Sequence, residues 1–258
     1  MSTIIYPSPI FGPVHSRRLG ISLGINLLPE GGKFCSFDCV YCECGLNSER
    51  RTHNPLPSAE RVETALVSKI KELKEENIIP DVFTFAGNGE PTLNPHFPEI
   101  VDRVIRIRNE YCPNAKISIL SNATQIHRPK IREALMKFDN NIQKLDTVSP
   151  IYINKVDRPQ GHYDVEEQIK NLQLFHGYVI IQTMFMNGEL NGESVNNTTP
   201  AYVEPYIEAL KRIQPSKVMI YTIDRETPVK GLKKATPEVL DAIAEKIKKA
   251  GFECSVSY

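Results

Sequence analysis

The 258-residue sequence predicts an α/β fold with mostly parallel strands. Short apolar runs alternate with amphipathic helical patterns along the chain, as parallel β–α units with crossovers require. The alternation gives about six repeats, too few to close an eight-unit barrel. No internal repeat, low-complexity tract or linker-like stretch interrupts it, so residues 1–258 read as one domain.

The first strand is expected near Gly20 to Leu27. A helix follows from about Ser58 to Glu76, with Val62, Ala65, Leu66, Ile70 and Leu73 on one face and Ser58 as N-cap. A strand at 81–86 runs directly into Gly87-Asn88-Gly89-Glu90. The second helix holds Phe97, Ile100, Val101, Val104 and Ile105, and a strand follows at 116–120. Next come a helix near 130–138, a weaker strand at 144–148, a helix at 165–174 and an apolar strand at 178–185. Asn187 to Pro200, rich in Asn, Gly, Ser and Thr, reads as a long loop, either a polar surface excursion or a substrate lid. Val203, Ile207, Leu210 and Ile213 mark the fifth helix, followed by a strand at 217–222. Leu240, Ile243, Ala244 and Ile247 mark the last helix, and a strand at 252–256 closes the chain.

Lys plus Arg and Asp plus Glu balance at 31 each, which removes a strongly basic field as a reason to expect nucleic acid or a membrane surface. A local basic groove stays open. With 41% hydrophobic and 24% charged residues, wholesale disorder is excluded. No apolar run approaches the roughly 20 residues of a bilayer-spanning helix. The first residues lack the basic-then-apolar pattern of a secretory signal, so the expected location is cytoplasmic with no membrane partner.

Four of the six cysteines, Cys35, Cys39, Cys42 and Cys44, fall within ten residues, with Cys112 and Cys254 far away. Cys39 and Cys42 are too close to staple distant segments, and a reducing cytosol disfavours disulfides, so a metal site is the better reading. Thiolates spaced C-x3-C-x2-C at Cys35, Cys39 and Cys42 wrap one small object from three sides. Structural zinc would need Cys44 or His53 as a cramped fourth ligand. A [4Fe–4S] cluster on three thiolates leaves one iron free for a substrate or cofactor. Spacing favours the cluster and leaves zinc open.

Tyr41 completes the pattern C-x3-C-x-aromatic-C, and the segment thereby resembles the signature of the radical S-adenosylmethionine (radical SAM) enzymes. The resemblance implies that Cys35, Cys39 and Cys42 bind a [4Fe–4S] cluster whose fourth iron is chelated by the amino and carboxylate groups of S-adenosylmethionine. One electron then breaks a sulfur–carbon bond, giving methionine and a 5′-deoxyadenosyl radical that abstracts hydrogen from a substrate. It further implies a partial (β/α)6 barrel, oxygen sensitivity and a one-electron donor such as flavodoxin or ferredoxin.

Taken alone, Gly87-Asn88-Gly89-Glu90 is a tight turn after a strand. Beside the cysteines it resembles the family's Gly-Gly-Glu motif, with Asn88 inserted, whose backbone and acidic side chain hold the cofactor's amino group. Tyr41, Gly87, Asn88, Gly89 and Glu90 are therefore candidate cofactor contacts. Ser121 and Asn122 join them at a strand's C-terminal end, where barrel-like folds bind ligands; a helix-approach turn is the alternative. Thr183 reads as core. Arg17, Arg18, Arg158 and Arg225 are each ordinary surface charges singly; together they point to an anionic group on the substrate or cofactor. No catalytic acid, base or nucleophile is assigned, and the histidines receive no role.

The runs Ser16 to Asn26, Gly87 to Leu93 and Ile220 to Arg225 look like those of radical SAM proteins related to the wyosine tRNA-modifying synthases. Those synthases carry extra N-terminal cysteines for a second cluster, and no cysteine precedes Cys35 here. The expectation is a single-cluster enzyme acting on an unidentified substrate, a small molecule or protein being favoured over tRNA. A tRNA-modifying enzyme and a glycyl-radical-activase-like enzyme are the alternatives. A non-enzymatic zinc- or cluster-binding module would have no need of the Gly-Asn-Gly-Glu run.

Overall fold

A computed structural model describes residues 3–16 and 20–258. Arg17 and Arg18 therefore lie outside the described residues. Eight strands form one sheet in the order β1-β2-β3-β4-β5-β6-β9-β11. Strand β1 (Ile10–Ser16) pairs antiparallel with β2 (Gly20–Ile25) at one edge. The rest run parallel: β2, β3 (Val82–Phe85), β4 (Lys116–Ser121), β5 (Asn140–Lys144), β6 (Ile180–Met184), β9 (Lys217–Tyr221) and β11 (Cys254–Ser257). Six helices provide the crossovers: α1 (Ala59–Glu75), α2 (Phe97–Tyr111), α3 (Pro129–Leu135), α5 (Val165–Gln173), α6 (Pro200–Ile213) and α7 (Pro237–Lys249). Between β5 and α5 the chain makes one short turn, α4 (Pro150–Tyr152), and a π-helical turn, Ile153–Asp157. β1 and β11 stand at the two ends of the strand order, and the sheet has the mostly parallel arrangement expected from the repeat pattern.

The two faces of the sheet differ in kind. Leu23, Ile25, Phe83, Phe85, Ile117, Ile119, Ile181, Val218 and Ile220 pack with the helices in the main core. On the alternate positions Ser22, Thr84, Leu120, Ile142, Lys144, Met184 and Met219 line a cavity. Period-two alternation assigns these sets to opposite faces. Ser58 caps α1 by accepting a hydrogen bond from the Arg61 N–H, as the sequence predicts.

Two expectations are corrected, and two strands had not been expected at all. The strand predicted at 144–148 lies at Asn140–Lys144. Its polar side chains pair with neighbours (Asn140 to Ser118 Oγ, Asn141 to the Tyr178 carbonyl, Gln143 to Asn141), so the strand carries no apolar run to read. The loop predicted at 187–200 contains β7 (Met186–Leu190) and β8 (Glu193–Ser194), joined through Asn191 and Gly192, both at positive φ. Strand β10 (Leu232–Lys234), also missed, completes this small antiparallel sheet in the order β10-β7-β8. Met186, Leu190 and Val195 pack with Val40, Tyr41, Tyr152 and Val156 in a second apolar cluster, so the segment is a fixed support and not a free excursion. Strand β1 was not anticipated either. No helix among the described residues is long and apolar enough to cross a membrane.

Candidate active site

The segment 34–45, between β2 and α1, crosses the C-terminal ends of the parallel strands and is fastened on both sides. On one side Phe34 forms an isolated parallel bridge with Gly89: its N–H donates to the Asn88 carbonyl (2.9 Å) and its carbonyl accepts from the Glu90 N–H (3.1 Å). On the other, the Asp38 and Val40 N–H groups donate to the carbonyls of Asp157 (3.0 Å) and Val156 (2.9 Å) in the π-helical turn. Lys33 closes the loop from below, donating to the Gly45 carbonyl at 2.7 Å with Asp38 3.6 Å away. Gly89 owes its identity to this fastening: its φ is +134°, and a Cβ there would stand 2.0 Å from the Phe34 carbonyl oxygen.

Each of the three cysteines has its own surroundings. Cys35 Sγ is approached by Asn122 Nδ2 (3.6 Å) and the Phe37 N–H (3.5 Å), and Cys39 Sγ lies 3.8 Å from Asp157 Oδ1. Burial pushes the Cys35 thiol up to about 12 and raises Cys39 well above its ordinary value. Cys42 moves the other way, lowered first by a hydrogen bond from the Cys44 thiol and then by Lys33. Cys44 is buried and its thiol also reaches the Gly87 carbonyl (3.4 Å).

Glu90 is fully buried and its carboxylate is engaged by the chain itself. Oε1 accepts from the Thr92 N–H (3.0 Å) and hydroxyl (2.6 Å), and Oε2 accepts from the Asn122 N–H (2.5 Å). Glu90 thereby holds Asn122, whose amide also donates to Ser36 Oγ (3.0 Å) and accepts from Thr124. Ser121 Oγ accepts from the Ala123 N–H (3.0 Å). Asn88 is likewise inward: its amide exchanges two 2.8 Å hydrogen bonds with the Tyr6 peptide group. An Asn88→Ala protein is expected to lose about 2 kcal/mol of stability from this double contact, measurable by urea unfolding.

A cavity of about 420 Å³ opens beneath the loop, bordered by Cys39, Tyr41, Cys42, Cys44 and Gly87 above and the inner sheet face below. At its mouth Arg225 pairs with Glu43 (2.7 Å) and reaches the Tyr6 hydroxyl (3.2 Å). Arg158 is not among the cavity's lining residues. It contributes its backbone: it takes a left-handed conformation after the π-helical turn, and its carbonyl accepts from the Asp38 N–H at 3.1 Å.

Sequence reasoning missed the groups around Tyr41. The Tyr41 hydroxyl donates to Asp146, and Lys144 reaches both of these and Asp157. The one available signal was a lysine and an aspartate two residues apart at a strand's end, where ligands bind in parallel sheets.

The donor set suits a cluster. Three thiols lie on one loop, flanked by the buried ammonium groups of Lys33 and Lys144, which offset the negative charge of thiolates.

Comparison with known proteins agrees with this geometry. Residues 30–198 match the family described as the radical SAM superfamily. A "UPF0026 protein" of Helicobacter pylori (strain J99) is 31% identical over 236 residues, covering 90% of this chain and 71% of its own. A radical SAM methyltransferase from Sphaerobacter thermophilus has a TM-score of 0.68 at 17% identity, over 92% of this chain and 66% of that one. TYW1 with a lysine-pyruvate adduct bound has a TM-score of 0.63 at 12% identity, over 88% and 73%. At these identities the two solved structures share the fold. With a parallel sheet, a cysteine loop across its strand ends and a family match over most of the chain, this protein belongs to the radical SAM superfamily, whose cofactors are a [4Fe–4S] cluster and S-adenosylmethionine.

Proposed function

We propose that Cys35, Cys39 and Cys42 hold one [4Fe–4S] cluster and that this chain uses S-adenosylmethionine to abstract hydrogen from a substrate in the cavity beneath them. The observation that carries this reading is the convergence of Cys39 and Cys42, the Gly87 turn and the strand ends on one cavity. Bound there, the cluster supplies the electron that breaks the sulfur–carbon bond of S-adenosylmethionine and so yields a 5′-deoxyadenosyl radical. The chain's own part is positional. Tyr41 and the backbone of Gly87, Asn88 and Gly89 border the cofactor; Glu90 acts through Asn122, and Ser121 shapes the same strand end. The apolar inner wall of Leu120, Ile142, Met184 and Met219 excludes water from the reacting centre. Arg225 receives an anionic group of the substrate by exchanging Glu43 for it.

A single cluster is supported by where the other cysteines lie. Cys112 packs in the helix layer, Cys254 sits on the edge strand β11, and Cys44 donates to Gly87. A small molecule or a protein residue is the favoured substrate, a one-electron donor such as flavodoxin or ferredoxin the favoured partner, and the reducing cytoplasm the favoured setting.

Anaerobic reconstitution with iron and sulfide, then reduction with S-adenosylmethionine, is expected to give 5′-deoxyadenosine and one cluster's iron per chain. Stoichiometric zinc without cleavage would overturn the reading. A Cys44→Ala protein should keep its iron and lose about 1 kcal/mol of stability, since only a weak thiol donor is removed. Loss of iron in that variant would make Cys44 a ligand.

A further inference from the structure

Lys144 ends β5 facing the cavity, and three separate segments converge on its ammonium. Nζ stands 2.8 Å from Asp157 Oδ1 in the π-helical turn and 2.6 Å from the Tyr41 hydroxyl in the cysteine loop. It also contacts Asp146 just beyond its own strand, and lies 5.2 Å and 5.8 Å from the ring centres of Tyr41 and Phe37. Asp146 is fixed in turn by accepting the Met184 N–H (2.9 Å). Asp157 carries the contact onward, 3.8 Å from Cys39 Sγ.

Such an arrangement is a poor device for stability alone. The side chains of Lys144, Asp146 and Asp157 are 14%, 1% and 3% exposed. Desolvating one ammonium and two carboxylates costs more than apolar packing of the same volume would. What the group does provide is placement. Resting on the cluster reading above, we propose that Lys144 is a positioning residue that ties the cysteine loop, through Tyr41, to Asp157 in the π-helical turn and sets the charge around Cys39. A carboxylate beside a metal-bound thiolate repels it; the ammonium on the same oxygen offsets that repulsion and fixes the carboxylate's direction.

The test compares Lys144→Met, Lys144→Arg and Asp157→Asn with wild type after anaerobic reconstitution, using the cluster's midpoint potential from an EPR-monitored redox titration. Reduction adds negative charge, so Lys144→Met is expected to lower the potential and Asp157→Asn to raise it, with Lys144→Arg close to wild type. Shifts of the same sign, or none, overturn the proposal, because a side chain that only fills space does not give opposite signs. In the metal-free proteins, amide hydrogen exchange over residues 36–41 and 153–158 is expected to be at least about tenfold faster in Lys144→Met. Exchange at the wild-type rate would likewise overturn it. If Lys144→Met does not fold, Asp157→Asn, which keeps the Lys144–Asp146 pair, decides by whether it raises the potential. Failure of wild type itself to take up a cluster would defeat the cluster reading, and the exchange result would then decide the positioning role by itself.

Discussion

Alanine in place of Cys39 is expected to give a folded protein that holds no cluster and releases no 5′-deoxyadenosine. The loop around Cys39 is held by its backbone, through the Asp38 and Val40 N–H groups, and the small Cys39 side chain adds only packing against the second apolar cluster and one weak polar contact, to Asp157. Its removal therefore changes folding stability by only about 1 kcal/mol. The chemistry has no such reserve. In the proposed ligand set three thiolates are the whole protein contribution to the cluster, and Cys44 turns its thiol toward the Gly87 carbonyl. Cys35→Ala and Cys42→Ala are expected to behave in the same way. Iron and sulfide assays, product chromatography and thermal unfolding on the same samples check this. Wild-type iron in any of the three stable variants would remove that cysteine from the ligand set.

Gly89→Ala is expected to be the most damaging change outside the three cysteines themselves. The residue sits at φ +134°, where an L side chain is strained, and the added Cβ would lie 2.0 Å from the Phe34 carbonyl oxygen and 2.6 Å from its carbon. Backbone strain and overpacking together come to about 4 kcal/mol, roughly a 10 °C fall in melting temperature for a chain of this size. Movement of Phe34 would relieve the clash, and iron uptake would fall instead because Cys35 follows Phe34 directly. Gly31→Ala is the matched control: its φ is also positive, at +72°, but its Cβ would meet nothing within 4 Å. That variant should lose about 1 kcal/mol and keep its iron. Equal stability and equal iron in the two proteins would show that the Phe34–Gly89 approach is unimportant.

The periodic parts of this fold were legible and the paired parts were not. The helices showed themselves because one face of each must be apolar, as Val62, Leu66, Ile70 and Leu73 do in α1. Strand β5 was displaced in the reading because its residues Asn140, Asn141 and Gln143 are polar and donate hydrogen bonds to one another and to neighbouring segments, which leaves no hydropathy trace. The β7–β8 hairpin announces itself with Asn191-Gly192, yet it directly follows an apolar strand and was absorbed into a loop. In the candidate site, the grouping of the cysteines on one loop was readable because their spacing is local. The hydrogen-bond partners of Glu90 and Asn88 were not, since both side chains point into the chain to groups 32 and 82 residues away. Lys144 and Asp157 meet Tyr41 only through the fold, across 103 residues for the lysine.

The backbone of the cysteine loop hangs from two supports, the turn after β3 and the π-helical turn beyond β5, with only side-chain ties from Ser36 to Asn122 and Thr124 past the end of β4 between them. The span between the outer thiols is thus a gauge of how far apart two strand ends stand. Breathing of the sheet at β4 would stretch that gauge while the helix layer remained intact. On gentle heating the brown colour of a reconstituted sample should therefore bleach before its far-ultraviolet dichroism changes.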